Sequence, residues 1–188
     1  MILKNIYHGQ LKGVSLFEIG RFEDMRGFFT ELYHSEELKK AGFTETFVQD
    51  NLSLSQKGVL RGMHYQLEPH GMGKLVCCIS GEIYDVIVDL RKGSPTFGKW
   101  EGFNLSGNEL SLLWVPVGFA HGFLSQSDNT IVLYKCTSFY NKDAERSLSY
   151  RCPKVGIKWH KEPLVISEKD RNAPNLDQAE YNFVFKEC

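Results

Sequence analysis

Three side chains that bind anions or move protons lie close together in this sequence. A strand-like run at residues 58–66 carries Arg61 and His64, and the polar loop that follows it ends at Lys74. Guanidinium and ammonium groups bind anions, and an imidazole exchanges a proton near neutral pH. Strict alternation points Arg61 and His64 to opposite faces of a strand, so both reach one cavity only if the strand is irregular. Gly62 is the natural position for such a bulge.

A metal site is the first alternative for this region. β-Barrels that hold a catalytic metal often present a His-x-His pair, but here the sequence reads His64-Tyr-Gln66. A glutamine amide is a poor replacement for an imidazole ligand. His70 is the other imidazole on the following loop. We therefore expect chemistry without a metal ion.

Three more polar residues fall where the pattern predicts a core. Asp85 alternates with isoleucines, and such a carboxyl group is costly to bury unless it is hydrogen-bonded or paired. It is either a structural partner or part of a polar cavity, and the pattern alone favours neither. His121 stands among small and aromatic residues, and Tyr134 shares a face with Val132 and Cys136. Taken alone, both are typical of core residues with satisfied polar atoms.

Short strands separated by Gly, Pro, Ser and Asn dominate the sequence. The predicted strands cover residues 14–19, 28–33, 45–54, 59–66, 74–80, 82–91, 99–105, 110–115, 122–127 and 130–140. No helical period separates them, which favours a sandwich, jelly roll or barrel over a sheet with crossover helices. We expect one all-β domain over residues 1–188.

Turn and capping residues predict how these strands are joined. Ser80-Gly81 and residues 106–108 read as hairpin turns, and residues 21–27 read as a charged turn. Ser35 is predicted to cap a short helix, and Ser167 is predicted to begin another.

The composition narrows the class of protein. The chain has 188 residues, 42% apolar and 24% charged, with a formal net charge of −1. That charge gives no electrostatic reason to expect nucleic acid or a membrane surface as a partner. No stretch approaches the roughly 18 apolar residues of a membrane span. The five cysteines lack metal or redox spacing, which is typical of reduced thiols, so we expect a cytoplasmic protein.

A series of motifs resembles one enzyme family. The motifs are E-D-M-R-G-F-F-T-E at 23–31, F-V-Q-D-N at 47–51, L-R-G-M-H-Y-Q at 60–66, G-K-L-V at 73–76, G-E-I-Y-D-V-I-V-D-L-R at 81–91, G-S-P-T-F-G at 93–98, G-F-A-H-G-F-L at 118–124, L-Y-K-C-T at 133–137 and S-E-K-D at 167–170. Together they closely resemble the dTDP-4-dehydrorhamnose 3,5-epimerases. The resemblance implies a cupin-type jelly roll with a few short helices and a reaction without metal or cofactor. It also implies a homodimer in which N-terminal strands, about residues 14–33, contact the partner.

The resemblance also implies a reaction and its catalytic residues. The implied enzyme inverts C3 and C5 of dTDP-4-dehydro-6-deoxy-D-glucose to give dTDP-4-dehydro-L-rhamnose, in dTDP-L-rhamnose biosynthesis. By position, His64 matches the base and Asp170 the carboxylate that orients it. Tyr134 matches the acid on the opposite side, and Lys74 falls where the family stabilises the enolate. A phenol with a reference pKa near 10 is protonated at neutral pH and can donate.

Ten further positions match residues that contact the substrate in the family. They are Arg26, Glu31, Gln49, Asp50, Asn51, Arg61, His121, Tyr140, Glu145 and Lys169. In relatives, the residues at the Arg26 and Glu31 positions reach the site from the partner subunit. An aromatic ring at Tyr140 can stack on a thymine.

Other functions remain open at this point. Related enzymes on the same scaffold invert a single centre, isomerise a 3,4-ketone or act on other nucleotide sugars. A jelly roll that binds a sugar nucleotide without turning it over is the alternative outside enzymes. Deuterium incorporation and the loss of turnover in His64→Ala separate these possibilities.

Overall fold

The computed structural model describes residues 3–186 as a protein of short strands and two short helices. The strands are Leu3–His8 (β1), Ser15–Ile19 (β2), Phe22–Asp24 (β3), Gly27–Phe29 (β4), Gln49–Ser55 (β5), Val59–Gln66 (β6), Lys74–Ser80 (β7), Glu82–Asp89 (β8), Trp100–Ser106 (β9), Ser111–Val115 (β10), Phe119–Ser125 (β11), Thr130–Cys136 (β12), Glu145–Ser147 (β13) and Val165–Ile166 (β14). The helices are Ser35–Lys40 (α1) and Glu168–Arg171 (α2). The predicted all-β class is confirmed.

Two sheets form the body of the molecule. The first has the strand order β1-β2-β10-β7-β12-β5, and the second has the order β13-β6-β11-β8-β9. Neighbours within each order are antiparallel, and β14 adds to β6 in parallel. Strands β3 and β4 form a separate hairpin. From β5 to β13 the chain crosses to the other sheet at every connection except the one between β8 and β9, which are neighbours in the second sheet. The connections therefore wrap around the core as in a jelly roll.

The core between the sheets follows from the two-residue period of the strands. On β8, Ile83 and Ile87 point inward and are fully buried, and Asp85 lies between them on the same face. The inward face of β12 carries Val132 and Tyr134, as the alternation predicts. Polar side chains on these inward faces therefore point to the space between the sheets.

The outer faces of both sheets are covered as well. Helix α1 and the loop after it lay Leu38 and Phe43 over the first sheet, where they pack with Trp114. Residues after β13 cover the second sheet, with Cys152 and Phe183 in its outer cluster. These layers hold the sheets in place around the space between them.

Two predicted hairpin turns are wrong. Ser80-Gly81 joins β7 of the first sheet to β8 of the second, and residues 106–108 join β9 to β10 of the other sheet. Gly81 has a φ of 80°, which suits any tight turn. The turn residues were read correctly as turns, but such turns equally serve connections that cross between sheets.

Several predicted boundaries also differ. Strands β1, β13 and β14 were not predicted, and the strand predicted at 28–33 ends at Phe29 in a hairpin whose first strand occupies part of the expected turn. Ser35 is the first residue of α1, and His34 occupies the N-cap without a side-chain bond. Ser167 does cap α2. Among residues 3–186, no helix is long and apolar enough to cross a membrane.

Candidate active site

A cavity of about 610 Å³ opens between the two sheets. Side chains from both sheets and from α2 line it, among them Arg61, His64, Lys74, His121, Tyr134, Lys169 and Asp170. All seven are predicted catalytic or substrate-binding residues, and they come from five different elements. The structure thus brings the predicted catalytic residues together.

The bulge expected at Gly62 is present. Arg61 pairs with Phe123 of β11 and His64 pairs with His121, so two residues of β6 face the single Gly122. Gly62 has a φ of 137°, and a Cβ on it would lie 2.4 Å from the Cα of Gly122. The close approach of the two backbones requires glycine here. The irregularity turns Arg61 and His64 toward the same cavity.

His64 and Asp170 form a carboxylate–imidazole pair at the wall of the cavity. His64 Nε2 lies 2.6 Å from Asp170 Oδ1, and the His64 side chain is 31% exposed, whereas Asp170 is buried. Burial raises the pKa of Asp170, but the hydrogen bond and charge of His64, the hydroxyl group of Ser167 and the backbone N–H of Gly62 outweigh it. The net pKa lies below its ordinary value, so the carboxylate form is favoured. A proton on Nε2 leaves Nδ1 as the acceptor.

A short strand and a helix cap place Asp170. Val165 and Ile166 pair in parallel with the start of β6, which directs the following residues along that strand. Ser167 Oγ then accepts the backbone N–H of Asp170 at 3.1 Å and begins α2. The carboxyl group reaches His64 from 106 residues away in the sequence because of this local arrangement.

Lys74 is a buried cation on the cavity floor. Its side chain is only slightly exposed, and Nζ donates to the carbonyl oxygen of His64 at 3.3 Å. Burial lowers the pKa of Lys74, and the charges of Asp85 and Glu145 oppose that shift. An ammonium group in such surroundings interacts strongly with any negative charge that develops nearby.

Tyr134 faces the cavity from the other sheet. It lies on β12 of the first sheet, whereas His64 lies on β6 of the second. Burial raises the pKa of Tyr134, although the charge of Arg61 and a bond from Asn51 oppose the shift. The phenol is therefore protonated over a wide range of pH and can serve as a proton donor.

An adjoining cavity of about 320 Å³ shares His64, Lys74 and Tyr134 with the first. Its other predicted residues are Gln49, Asn51, Tyr140 and Glu145. Gln49 Oε1 accepts the backbone N–H of Tyr140 at 3.0 Å, and its Nε2 donates to Asn51 Oδ1 at 3.0 Å.

Glu145 joins the two cavities. Tyr140 Oη donates to Glu145 Oε2 at 3.0 Å, and Lys169 Nζ lies 2.5 Å from the same oxygen. Tyr140 is 54% exposed and thus accessible for stacking. Burial raises the pKa of Glu145, but bonds from Lys169 and Tyr140 bring it below its ordinary value.

Three predicted substrate contacts lie apart from both cavities within the chain. Asp50 points to the outer face of β5 and binds Lys135 Nζ at 2.8 Å. Arg26 lies on the β3–β4 hairpin with an 86% exposed side chain, paired with Asp24. Glu31 follows that hairpin on the surface. Alternation along β5 placed Asp50 on the face opposite Gln49 and Asn51, so its outward direction was readable from the sequence.

Asp85 is the residue for which the sequence pattern favours neither a structural role nor a place in a polar cavity. Its carboxylate lies beneath the cavity, where Oδ1 and Oδ2 are 3.0 and 2.8 Å from His121 Nε2. The sequence signal for this pair is a carboxyl group between two isoleucines on an inward face, which needs a hydrogen-bond partner. Its partner could not be identified, because the sequence does not show which strands are neighbours.

Among residues 3–186, no group of three or more His, Cys, Asp or Glu side chains is arranged to hold a metal ion. Gln66, at the position that a second imidazole would take, binds backbone groups instead. Its Nε2 donates to the carbonyl oxygen of His70 at 2.8 Å, and its Oε1 accepts the N–H of Asn141 at 2.7 Å.

Comparisons with known proteins show which family the chain is similar to. The sequence profile of the dTDP-4-dehydrorhamnose 3,5-epimerase family matches residues 8–178. The dTDP-4-dehydrorhamnose 3,5-epimerase of Shigella flexneri is 46% identical over 178 residues, which cover 94% of this chain and 98% of that protein.

Two solved structures resemble the fold closely. The 3,5-epimerase of Legionella pneumophila Philadelphia 1, in complex with dTDP-4-keto-L-rhamnose, has a TM-score of 0.88 and 44% identity, covering 93% of both chains. A 3'-monoepimerase of Streptomyces bikiniensis, in complex with dTDP-quinovose, has a TM-score of 0.83 and 35% identity, covering 89% of this chain and 86% of that one.

Proposed function

This chain belongs to the dTDP-4-dehydrorhamnose 3,5-epimerase family, and we propose that it inverts C3 and C5 of dTDP-4-dehydro-6-deoxy-D-glucose. The product is dTDP-4-dehydro-L-rhamnose, the precursor of dTDP-L-rhamnose. The observation that carries the proposal is the placement of a base and an acid on opposite sheets. His64 on β6 and Tyr134 on β12 face one cavity, which an inversion requires.

The proposed mechanism uses the acidity of carbons next to a ketone. His64 removes the proton from C3 or C5, and the electron pair moves to O4 to form an enolate. The ammonium group of Lys74 stabilises the negative charge on O4. Tyr134 then delivers a proton to the opposite face of the same carbon, and the ketone re-forms. Asp170 accepts a hydrogen bond from His64 and stabilises the imidazolium that forms.

The proposed contacts with the rest of the substrate lie in both cavities. Tyr140 offers an exposed ring for the thymine, and Lys169 offers a cation for the diphosphate. Arg61 is held by Ser55 Oγ at 3.0 Å with its guanidinium at the cavity, which suits a clamp on the sugar or phosphate. The groups of the protein suffice for this chemistry, so the proposal includes no cofactor.

A single-centre epimerase is the second candidate. It is favoured by the likeness to the 3'-monoepimerase, whose fold is nearly as similar as that of the 3,5-epimerases. The two candidates share the base, the acid and the enolate. They differ only in whether both carbons reach the catalytic groups.

Turnover in deuterium oxide distinguishes the two candidates. A 3,5-epimerase exchanges the protons at C3 and C5 with solvent, and NMR of the recovered sugar nucleotide then shows deuterium at both carbons. Deuterium at C3 alone supports the single-centre enzyme. If neither C3 nor C5 exchanges its proton, both candidate functions are refuted, provided that the enzyme binds dTDP in a calorimetric control.

The variant Tyr134→Phe tests the proposed acid. Loss of the hydroxyl removes the proton donor while keeping the ring, so we expect kcat to fall about 100-fold or more, within the range of general acid catalysis. The affinity for dTDP should change little. A loss of dTDP affinity as large as the loss of kcat would instead identify Tyr134 as a binding residue.

We also propose that the active form is a homodimer in which the β3–β4 hairpin reaches the partner's site. Apolar side chains are exposed on two surfaces, the hairpin and the outer face of β5. Phe22 and Phe29 are 58% and 67% exposed on the first, and Leu52 and Leu54 are 70% and 57% exposed on the second. Leu52 also borders the main cavity, so a partner on this face would lie next to the site.

Mixed dimers test whether Arg26 acts in the partner's site. His64→Ala and Arg26→Ala each inactivate the homodimer if both residues are needed. Unfolding and refolding the two variants together at equal amounts gives mixed dimers, in which one site has both residues only if Arg26 acts across the interface. About a quarter of the wild-type activity should then return. Activity that stays absent in a mixture shown to contain mixed dimers places Arg26 in its own subunit's site or outside the sites.

We further propose a cytosolic location. Cys77, Cys78, Cys136 and Cys152 are buried free thiols, which is typical of proteins in a reducing compartment.

A further inference from the structure

A second carboxylate–imidazole pair lies beneath the cavity, on neighbouring strands of the second sheet. Asp85 of β8 is fully buried, and His121 of β11 is 6% exposed. His121 Nε2 is 2.8 and 3.0 Å from the two oxygens of Asp85. His121 borders the cavity, whereas Asp85 does not, so the carboxylate can act on a ligand only through its neighbours.

This geometry determines which ring nitrogen of His121 carries the proton. A carboxylate accepts hydrogen bonds and does not donate them, so the nitrogen between its two oxygens carries the hydrogen. In a neutral ring the other nitrogen, Nδ1, then has a free electron pair. Burial lowers the pKa of His121, and the charges of Lys74 and His64 lower it further, while Asp85 opposes the shift. The net pKa lies below the ordinary value, which favours the neutral ring.

Lys74 borders the same cavity as His121, so the Asp85 carboxylate that binds His121 is also a negative charge close to the Lys74 ammonium group. Burial lowers the pKa of Lys74, and Asp85 is one of the negative charges that raise it. A buried ammonium group without a counter-charge loses its proton readily. Asp85 is therefore placed to support both the tautomer of His121 and the charge of Lys74.

We propose that Asp85 is a positioning residue that holds His121 in the Nε2–H tautomer and supports the ammonium form of Lys74. Nδ1 of His121 then accepts a hydrogen bond from a hydroxyl group of the sugar, and Lys74 keeps the charge that stabilises the enolate. The roles in the reaction rest on the proposed function. The tautomer does not, because it belongs to the protein without substrate.

The tautomer is measured by NMR of the ¹⁵N-histidine-labelled protein without substrate. The His121 signals, assigned by their loss in His121→Gln, should show a proton on Nε2 and an unprotonated Nδ1 at neutral pH. In Asp85→Asn the amide can donate or accept, so the single tautomer should give way to a mixture. A wild-type ring protonated on Nδ1, alone or together with Nε2, would overturn the proposal even if the variant does not fold.

The kinetic arm uses the pH profile of kcat/KM. We expect Asp85→Asn to lower kcat/KM about 10- to 100-fold, the loss that follows removal of the carboxylate that orients a histidine ligand in metalloenzymes. Because Lys74 loses a counter-charge, the alkaline limb should also move to lower pH. A merely structural role would lower the melting temperature without moving that limb.

Asp89→Asn is the matched control. Asp89 is fully buried on the same strand, but it binds Arg91, Ser94 and Thr96 at the far end. This variant should lower the melting temperature while leaving the His121 tautomer and the alkaline limb unchanged. If both variants move the limb equally, the positioning role is refuted. If the tautomer is as expected but no sugar nucleotide is turned over by the wild type, the proposed function fails and the tautomer assignment stands.

Discussion

The two histidines that face the cavity are both bound to a carboxylate, but their surroundings differ. His64 is 2.6 Å from Asp170, and its side chain is 31% exposed. His121 is 2.8 Å from Asp85, and its side chain is 7% exposed. Similar distances therefore occur in an open pair and in a closed pair.

The origin of each carboxylate explains this difference. Asp85 lies on a strand hydrogen-bonded to that of His121, inside a regular part of the sheet, so both groups are buried together. Asp170 comes from the short helix α2 at the rim of the cavity and meets His64 next to the bulge. A base must reach the substrate and change its protonation in each cycle, which suits the open pair. A residue that presents one fixed acceptor suits the closed pair.

The strongest test of this comparison replaces each histidine by alanine. His64→Ala should lower kcat about 100- to 10,000-fold, because the general base is lost. The free energy of unfolding should change by only about 1 kcal/mol, since the Asp170 carboxylate keeps the backbone N–H of Gly62 and the hydroxyl group of Ser167 as partners.

His121→Ala should instead lower the free energy of unfolding strongly and kcat less than His64→Ala does. It leaves the fully buried Asp85 without its hydrogen-bond partner, which costs about 3–5 kcal/mol of unfolding free energy. Denaturant titration measures the free energy of unfolding of both variants, and steady-state kinetics measures their kcat. Equal losses of stability, or a larger kcat loss in His121→Ala, would contradict the division of roles.

The two pairs also differ in how far they were predictable from the sequence. The inward directions of Asp85 and Tyr134 follow from alternation along single strands, and the structure confirms both. Alternation even located the irregularity at Gly62, because two useful side chains otherwise pointed apart. What alternation cannot give is the order of strands, and so the contact between Asp85 and His121 was not predictable.

The contact between Asp170 and His64 could not be predicted from local sequence patterns. The strand that guides it, β14, has only two residues, and its parallel pairing with β6 joins segments far apart in the sequence. Only the resemblance to a family assigned Asp170 to His64. The crossing of Ser80-Gly81 between sheets was misread for the same reason, since the turn chemistry is local and the choice of sheet is not.

A second prediction concerns Gly62, where the backbone of β6 lies close to the backbone of β11. A methyl group on Gly62 would overlap the backbone of Gly122 and require a left-handed φ of 137° from alanine. We expect Gly62→Ala to lower the unfolding free energy by about 2–5 kcal/mol and to disturb both pairs.

Gly93→Ala is the control for the contribution of φ alone. Gly93 has a φ of 84°, and a Cβ there would meet nothing within 4 Å, so the cost should be about 1–2 kcal/mol. Chemical denaturation at one fixed protein concentration measures the loss of unfolding free energy in both variants. If the two variants cost the same, the backbones at Gly62 do not approach as closely as the structure indicates.

The smallest expected effect is the pH dependence of stability that comes from Asp170. Burial raises its pKa, but the bonds from His64, Ser167 and Gly62 outweigh it, so the folded pKa lies below the ordinary value of about 4. The stabilisation is therefore fully present above the unfolded pKa and is lost as pH falls through the folded one.

The melting temperature of the wild type should exceed that of Asp170→Asn by a few degrees at pH 7, and the difference should shrink on acidification below about pH 4. A difference for Asp170→Asn that stays constant with pH would show that His64 does not favour the charged form of its partner, and the open pair would then lack the electrostatic coupling that its role as a base requires.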